Sequence, residues 1–295
     1  MILVVGATGT LGGRITRGLL EKGKNVRILV RDHSPSAEMA QVGMATAADS
    51  LIADGAQAVS GDLTDRGSLD VACAGVDTVI TTATATKRDG DLETVDLNGT
   101  LSLIAAAGEA GVEHFIYTSA RGSAIDHPVP LFHIKATCEN ALAASGMTWT
   151  ALLPSMFTEV WVGMVIGIPL QAGQPVTLVG EGNHKHPFIS EADVAAFAIA
   201  AVDNPAAHNA PIEIGGPSYS WTEVVAAAGE AIGQKLPVNY VPPGTVVPLV
   251  PPIVEPTLIA SETYESFVDM GDTPAQFGIE LTPLTTVLQQ MFGAN

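Results

Sequence analysis

Four uncharged apolar residues, Ile2 to Val5, run straight into Gly6-Ala7-Thr8-Gly9-Thr10-Leu11-Gly12, with glycines at three-residue spacing. An apolar run bounded by turn residues suits a strand buried on both faces. Leu11, Ile15, Leu19 and Leu20 then share one helical face, and Gly23 can end that helix. Residues 25–30 read as a second strand. Strand, glycine turn, helix and strand within about thirty residues is the size of one βαβ unit. Residues without a Cβ permit a tight turn and a close approach of the backbone to a ligand. The N–H groups that open the helix, at the positive end of its dipole, then suit a diphosphate. A glycine spacing alone is weak. Between a buried strand and a helix it is a strong pointer to a dinucleotide.

Arg31 and Asp32 close the second strand. An acidic residue about twenty positions beyond the turn accepts ribose hydroxyls in NAD sites, whereas arginine accommodates the 2′-phosphate of NADP. Asp32 has the spacing. Arg31 comes first off the strand, and guanidinium matches phosphate geometry. NADP is therefore the favoured cofactor, with NAD as the alternative.

Further strands are expected at 56–59, 76–82, 114–118 and 148–153, the last stopped by Pro154. Residues 34–55 are polar, alanine-rich and partly helical. Helices are expected over 92–110, capped by Gly111, and over 131–144, ended by Gly146. Alternating strands and helices imply an α/β fold with a Rossmann-type, doubly wound parallel sheet and ligands at the carboxyl ends of its strands. Gly6, Arg31, Asp62, Thr82, Ser119 and Pro154 all fall at such ends.

The pattern changes after Pro154. Residues 1–153 are read as the dinucleotide-binding domain. Residues 154–295 are read as a smaller, mainly substrate-binding part, with 190–215 returning to the sheet. The apolar segment 157–170 reads equally as a pocket wall or as core. A strand at 176–179 precedes a loop over 180–187. Ser190 and Asp193 open a helix, residues 210–214 form a strand, and Ser220-Trp221-Thr222-Glu223 is a capping box. A strand is read within 236–241. Residues 242–256, proline-rich and apolar, fit a cover over a pocket or a subunit contact, which leaves a homo-oligomer open. Residues 284–292 form a closing amphipathic helix.

The 31 acidic residues against 13 basic ones argue against a nucleic-acid partner. The longest apolar stretch, 241–260, is interrupted by prolines and contains Glu255, so no membrane helix is expected. With no signal peptide ahead of Ile2, a cytoplasmic location is expected. Cys73 and Cys138 are the only cysteines and read as packing residues. His184 and His186 form an H-x-H pair, but no recognisable carboxylate or cysteine completes a ligand set, so no metal is expected.

Together the motifs resemble the atypical short-chain dehydrogenase/reductases, in the NmrA-like group of quinone reductases, triphenylmethane reductase and isoflavone-reductase-like enzymes. The resemblance spans nearly the whole chain. It rests on GATGTLG at Gly6, VRILVRD ending at Asp32, GDLTD at Gly61, AGVEHFIYTSA ending at Ala120, and Lys135 with Glu139. It continues through TALLPSMFTE at Thr150, HPFISEADVA ending at Ala195, and LTPL near the end. It implies that Gly6, Thr8, Gly9, Thr10, Leu11 and Gly12 hold the pyrophosphate and Arg31 the 2′-phosphate. It further implies that Asp62 and Leu63 border the adenine, that Thr81, Thr82 and Ala83 lie along the cofactor, and that Pro154 and Phe157 flank the nicotinamide.

One departure matters. Short-chain dehydrogenases typically carry Tyr-x-x-x-Lys, and four residues before Lys135 stands Leu131. Lys135 is left to bind the ribose or to act as acid or base. Ser119 is a candidate donor to a substrate oxygen. The expectation is an NADP(H)-dependent oxidoreductase that passes hydride to a small, apolar, conjugated acceptor such as a quinone. The alternative is a non-catalytic NAD(P)-binding redox regulator that binds a partner protein.

Overall fold

The computed structural model describes residues 1–31, 47–85, 91–250 and 255–293. The first unit is organised on a seven-stranded sheet of order β10-β6-β5-β4-β1-β2-β3. Its strands are β1 (Ile2–Val5), β2 (Val26–Val30), β3 (Gln57–Ser60), β4 (Thr78–Thr81), β5 (His114–Thr118), β6 (Thr148–Pro154) and β10 (Ala210–Ile214). Pairing is parallel from β3 through β2, β1, β4 and β5 to β6. This is the doubly wound α/β sheet expected from the sequence. The uncharged run that opens the chain is buried along its whole length and lies inside the sheet, between β4 and β2.

The helices of this unit follow the apolar periodicity. Helix α1 (Thr10–Glu21) buries Ile15 and Leu19, while Leu11 and Leu20 on the same face are half-buried. It ends as a Schellman motif: Gly23 donates to Leu20 O at 2.8 Å and Lys24 to Leu19 O at 3.0 Å, with Gly23 at φ +72°. Helices α2 (Ala47–Ala53) and α3 (Arg66–Cys73) follow. The long helix expected over 92–110 is not uniform. Glu93–Gly99 is π-helical and only then runs into α4 (Thr100–Glu109). A π turn accommodates an extra residue, which apolar spacing alone does not reveal. Helix α5 (Pro130–Ala143) starts with proline in its first turn, where the missing N–H costs nothing.

Clustering of contacts gives two compact units. The first is Met1–Leu153 with Val194–Ile212 and Ala275–Ile279; the second is Pro154–Asp193 with Glu213–Pro274 and Glu280–Asn295. Within the second, β7 (Met156–Phe157), α6 (Thr158–Val162), a π segment Gly163–Gly167 and α7 (Ile168–Gln171) follow one another. Val162, Val165 and Ile166 of this stretch are fully buried in core with Val176, Phe188 and Trp221, so they serve as packing. Trp161, Met164 and Leu170 pack against that core and stay half-buried.

Strand β8 (Val176–Val179) pairs in parallel with β12 (Val238–Val241). The loop expected over 180–187 is shorter than its composition implies, because β9 (Lys185–Ile189) already begins inside it. Strand β9 lies between β7 and β11 (Ser218–Ser220). Helix α8 (Glu191–Ala201) starts where Ser190 Oγ accepts the Asp193 N–H at 2.9 Å. Helix α9 (Trp221–Ile232) carries both bonds of its capping box, Glu223 N–H to Ser220 Oγ at 3.2 Å and Ser220 N–H to Glu223 Oε2 at 2.8 Å. Three short helices close the chain: α10 (Glu255–Ser261), α11 (Thr273–Phe277) and α12 (Leu284–Phe292). Among the described residues, no helix is long and apolar enough to cross a membrane.

Candidate functional site

The glycine turn is required by space as well as by torsion. Gly6 has φ +87°, and a Cβ there would stand 2.8 Å from Thr82 Oγ1 and 2.9 Å from Ala83 N. A Cβ on Gly12 would stand 2.2 Å from Gly6 O. The loops after β1 and β4, adjacent in the sheet, thus touch only because Gly6 lacks a side chain. No side chain caps α1 at Gly9, and its first turn contains no acid. Thr8, Gly9 and Thr10 are exposed. The start of α1 is therefore exposed, with no side-chain cap and no acid in its first turn, the kind of helix end whose amides suit an anion.

A cavity of about 420 Å³ adjoins this turn, lined by Thr8, Gly9, Thr10, Arg14, Arg17 and Leu51 among others. Sequence reasoning passed over Arg14 and Arg17. Their signal was their three-residue spacing on α1 directly after the glycines, in a chain poor in basic residues. Arg17 Nε reaches Asp54 Oδ2 at 3.2 Å and its guanidinium reaches Ser50 Oγ at 3.3 Å.

Arg31 and Asp62, at the ends of β2 and β3, are brought together, with Arg31 Nε 4.0 Å from Asp62 Oδ2. Asp62 Oδ1 accepts the Thr64 N–H and hydroxyl, both at 2.8 Å, so half of that carboxylate organises its own turn. Leu63 is buried against the core of this unit. Thr81 is buried at the tip of β4; Thr82 and Ala83 follow, half-buried. Asp32 lies outside the described residues. Pro154 closes β6, and Phe157 lies in β7 with Ile189 as its register partner.

At the tip of β5 stands the charged part of the site. Lys135, on α5, is buried, donates to Thr118 O at 3.0 Å and places its Nζ 4.9 Å from the centre of the Tyr117 ring. Burial pushes its pKa down, opposed by the charges of Asp96, Cys138 and Glu139. Ser119 is buried and gives its hydroxyl hydrogen to Glu139, one turn beyond Lys135 on the same helix. Burial raises the Glu139 carboxyl, against the Ser119 hydrogen bond and the Lys135 charge that hold it down. Leu131, where a tyrosine would stand, is half-buried.

The remaining candidates are structural in their surroundings. Both cysteines are buried, and burial drives the Cys73 thiol up to about 11. His186 is buried on β9 and shared between Ser266 Oγ at 3.0 Å and Ser261 O at 2.8 Å. His184 precedes the strand and lies 4.0 Å from Glu262. Among the described residues no group of three or more His, Cys, Asp or Glu is placed to hold a metal.

Comparison with known proteins puts names beside this geometry. The NAD(P)H azoreductase of Xenophilus azovorans is 33% identical over 242 residues, covering 82% of this chain and 76% of that protein. The photosystem II assembly factor Ycf39 of Synechocystis sp. is 31% identical over 244 residues, covering 82% of this chain and 70% of that protein. The structure of the NADPH-dependent quinone oxidoreductase QOR2 of Escherichia coli complexed with NADPH superposes with a TM-score of 0.78 at 21% identity, over 99% of this chain and all of the other; at that identity it speaks for the fold. The model of the NmrA-like family matches residues 1–287. The chain belongs to the NmrA-like family.

Proposed function

We propose that the protein is an NADP(H)-dependent oxidoreductase that passes hydride to a small conjugated acceptor, with quinones and azo compounds as the first classes to test. The observation that carries this reading is the alignment along one edge of a single sheet. The uncapped amides of α1, Arg31 beyond β2, and the buried Lys135 at β5 all stand at strand carboxyl ends. The relative named as an NAD(P)H azoreductase supports the same chemistry.

In this reading the amides from Gly6 to Gly12 hold the diphosphate and Arg31 the 2′-phosphate. Asp62 and Leu63 border the adenine, and Thr81, Thr82 and Ala83 run beside the cofactor. The place of Pro154 and Phe157 beside the nicotinamide is carried by the family likeness, as is the assignment of 154–295 as the mainly substrate-binding part. The bound cofactor supplies the hydride. Lys135 steadies the ribose and returns a proton to the reduced acceptor. Ser119, whose hydrogen is committed to Glu139, reaches a substrate oxygen only by exchanging that bond. Conjugated acceptors suit a site without the tyrosine, because the anion left by hydride transfer is delocalised and the transfer needs little help from an acid.

The test is direct: purified protein, NADPH or NADH, and a panel of quinones and azo dyes, followed by loss of the reduced-nicotinamide absorbance. Turnover above background with NADPH preferred supports the reading; none across the panel overturns it. A second reading keeps the cofactor and drops the chemistry, making the protein a dinucleotide-binding regulator of a partner protein. The likeness to the assembly factor Ycf39 and the leucine at position 131 favour it. NADPH binding without turnover of any acceptor is its expected signature.

A further inference from the structure

Helix α5 sends two side chains, four residues apart and so on one face, to the end of β5. Lys135 donates to Thr118 O at 3.0 Å, and Glu139 accepts the hydroxyl hydrogen of the next residue, Ser119. Ser119 is buried, and its backbone is pinned to β6, its N–H donating to Leu152 O at 2.8 Å. The serine is thus fixed at the strand end, and what stays adjustable is the direction of its hydrogen.

A serine hydroxyl has one hydrogen and two lone pairs. An ionised Glu139 can only accept, so it takes that hydrogen and leaves Ser119 to offer a ligand nothing but lone pairs. A protonated Glu139 reverses the bond. The acid hydrogen goes to Ser119 Oγ, and the serine hydrogen is free to point elsewhere. Both forms keep the pair bonded, so the exchange needs no movement of the backbone. The surroundings keep both forms within reach. Glu139 is half-buried, so solvent can supply and remove its proton. Burial raises its carboxyl, while the Ser119 bond and the Lys135 charge hold it down. Tyr117 from β5 and Cys138 from α5 also feel the Glu139 charge, and burial pushes both of them up, which keeps them neutral where a carboxyl titrates.

We propose that Glu139 gates Ser119: as a carboxylate it withholds the serine hydrogen, and as an acid it releases that hydrogen to a carbonyl oxygen of the bound acceptor. Glu139 is a positioning residue, because it acts through Ser119. Placing the gate at the acceptor site rests on the reading of the protein as a reductase; the hydrogen-bonded pair does not.

Two measurements on the full chain test it. The first titrates the glutamate carboxyls by ¹³C NMR, with Glu139 identified by the resonance lost in Glu139→Gln, or in Glu139→Asp if E139Q does not fold. Glu139 is expected to titrate above the ordinary glutamate range, and at least about half a pH unit higher again in Ser119→Ala, which removes a bond that favours the ionised form. An unmoved titration in folded S119A overturns the pairing. The second measures the Kd of 1,4-naphthoquinone in the presence of NADP⁺, by quenching of tryptophan fluorescence against pH. NADP⁺ has no hydride to give, so binding is read whether or not the protein is a reductase. The native Kd is expected to rise about tenfold as pH climbs through the Glu139 titration. In E139Q, whose amide can donate to Ser119 Oγ, it is expected to stay tight at every pH, and in S119A to stay weak at every pH. A native Kd that is flat across that titration, no binding at any pH, or a pH dependence kept in S119A overturns the gate. The expected Kd pattern without turnover of any acceptor sinks the reductase reading and leaves the gate standing; turnover with a flat Kd does the reverse.

Discussion

At the scale of single residues, the site's chemistry is decided by who shares whose proton. Lys135→Met removes the proposed donor. Turnover is expected to fall by about 10²-fold or more, with NADPH affinity measured separately by fluorescence titration. Arg31→Ala removes the guanidinium proposed for the 2′-phosphate. NADPH affinity is expected to drop by about tenfold or more while NADH affinity changes little, which calorimetry reads directly. His114 gives a prediction of a different kind. It is buried, and its pKa is lowered to about 4 by burial and by neighbouring His208. Thr150 donates to Ala207 O at 2.7 Å, so the His114 Nε2 at 2.8 Å from that hydroxyl must be the donor, which assigns the neutral tautomer. The unfolded chain binds this proton near pH 6.5 and the folded one only near 4. Stability is thus whole above about pH 6.5 and declines as pH falls toward 4, by about 3 kcal/mol in all. His114→Gln is expected to flatten that part of the curve in urea titrations run at several pH values. Ser119 and Arg31 were legible as candidates because they follow strand ends, and Lys135 because of the string it shares with Glu139 on a helix. That Ser119 spends its hydrogen on Glu139 was not legible, because the partner comes from another element.

At the scale of elements, the glycine turn makes the sharpest prediction. A Cβ on Gly12 meets a backbone oxygen, which cannot swing aside as a side chain can. Gly12→Ala is expected to abolish dinucleotide binding, or to weaken it by at least about 10²-fold, and to lower the thermal midpoint. Ser220→Ala removes one half of the α9 capping box and is expected to cost about 1 kcal/mol by denaturant titration, without effect on cofactor affinity. Elements with a strong period or clear punctuation were readable to within a residue or two: β1, β5, β8, α1 and α12. Two were not. The π segment Glu93–Gly99 hides inside helical spacing, because one extra residue leaves the apolar face nearly unchanged. Strand β9 hides in Lys185-His186-Pro187, residues of low strand preference that join a sheet because β7 and β11 supply partners on either side.

At the scale of the whole chain, cofactor binding is expected to appear as stability. A ligand that binds only the folded state at a hundred times its Kd adds about 2.7 kcal/mol. NADPH is therefore expected to raise the thermal midpoint in proportion to the logarithm of its concentration, and to do so more than NADH.

What the amino-acid order alone determined was everything that depends on neighbours in the chain. The strand-glycine-helix opening and the alternation of strands and helices follow from period, side-chain size and the sterics of glycine. Tertiary structure decided the charge environment. The burial of Asp96, the enclosure of Lys135 and the capture of the Ser119 hydrogen each depend on contacts between separate elements. The energy of a charge is set by what surrounds it in space, and that surrounding exists only once distant segments have packed.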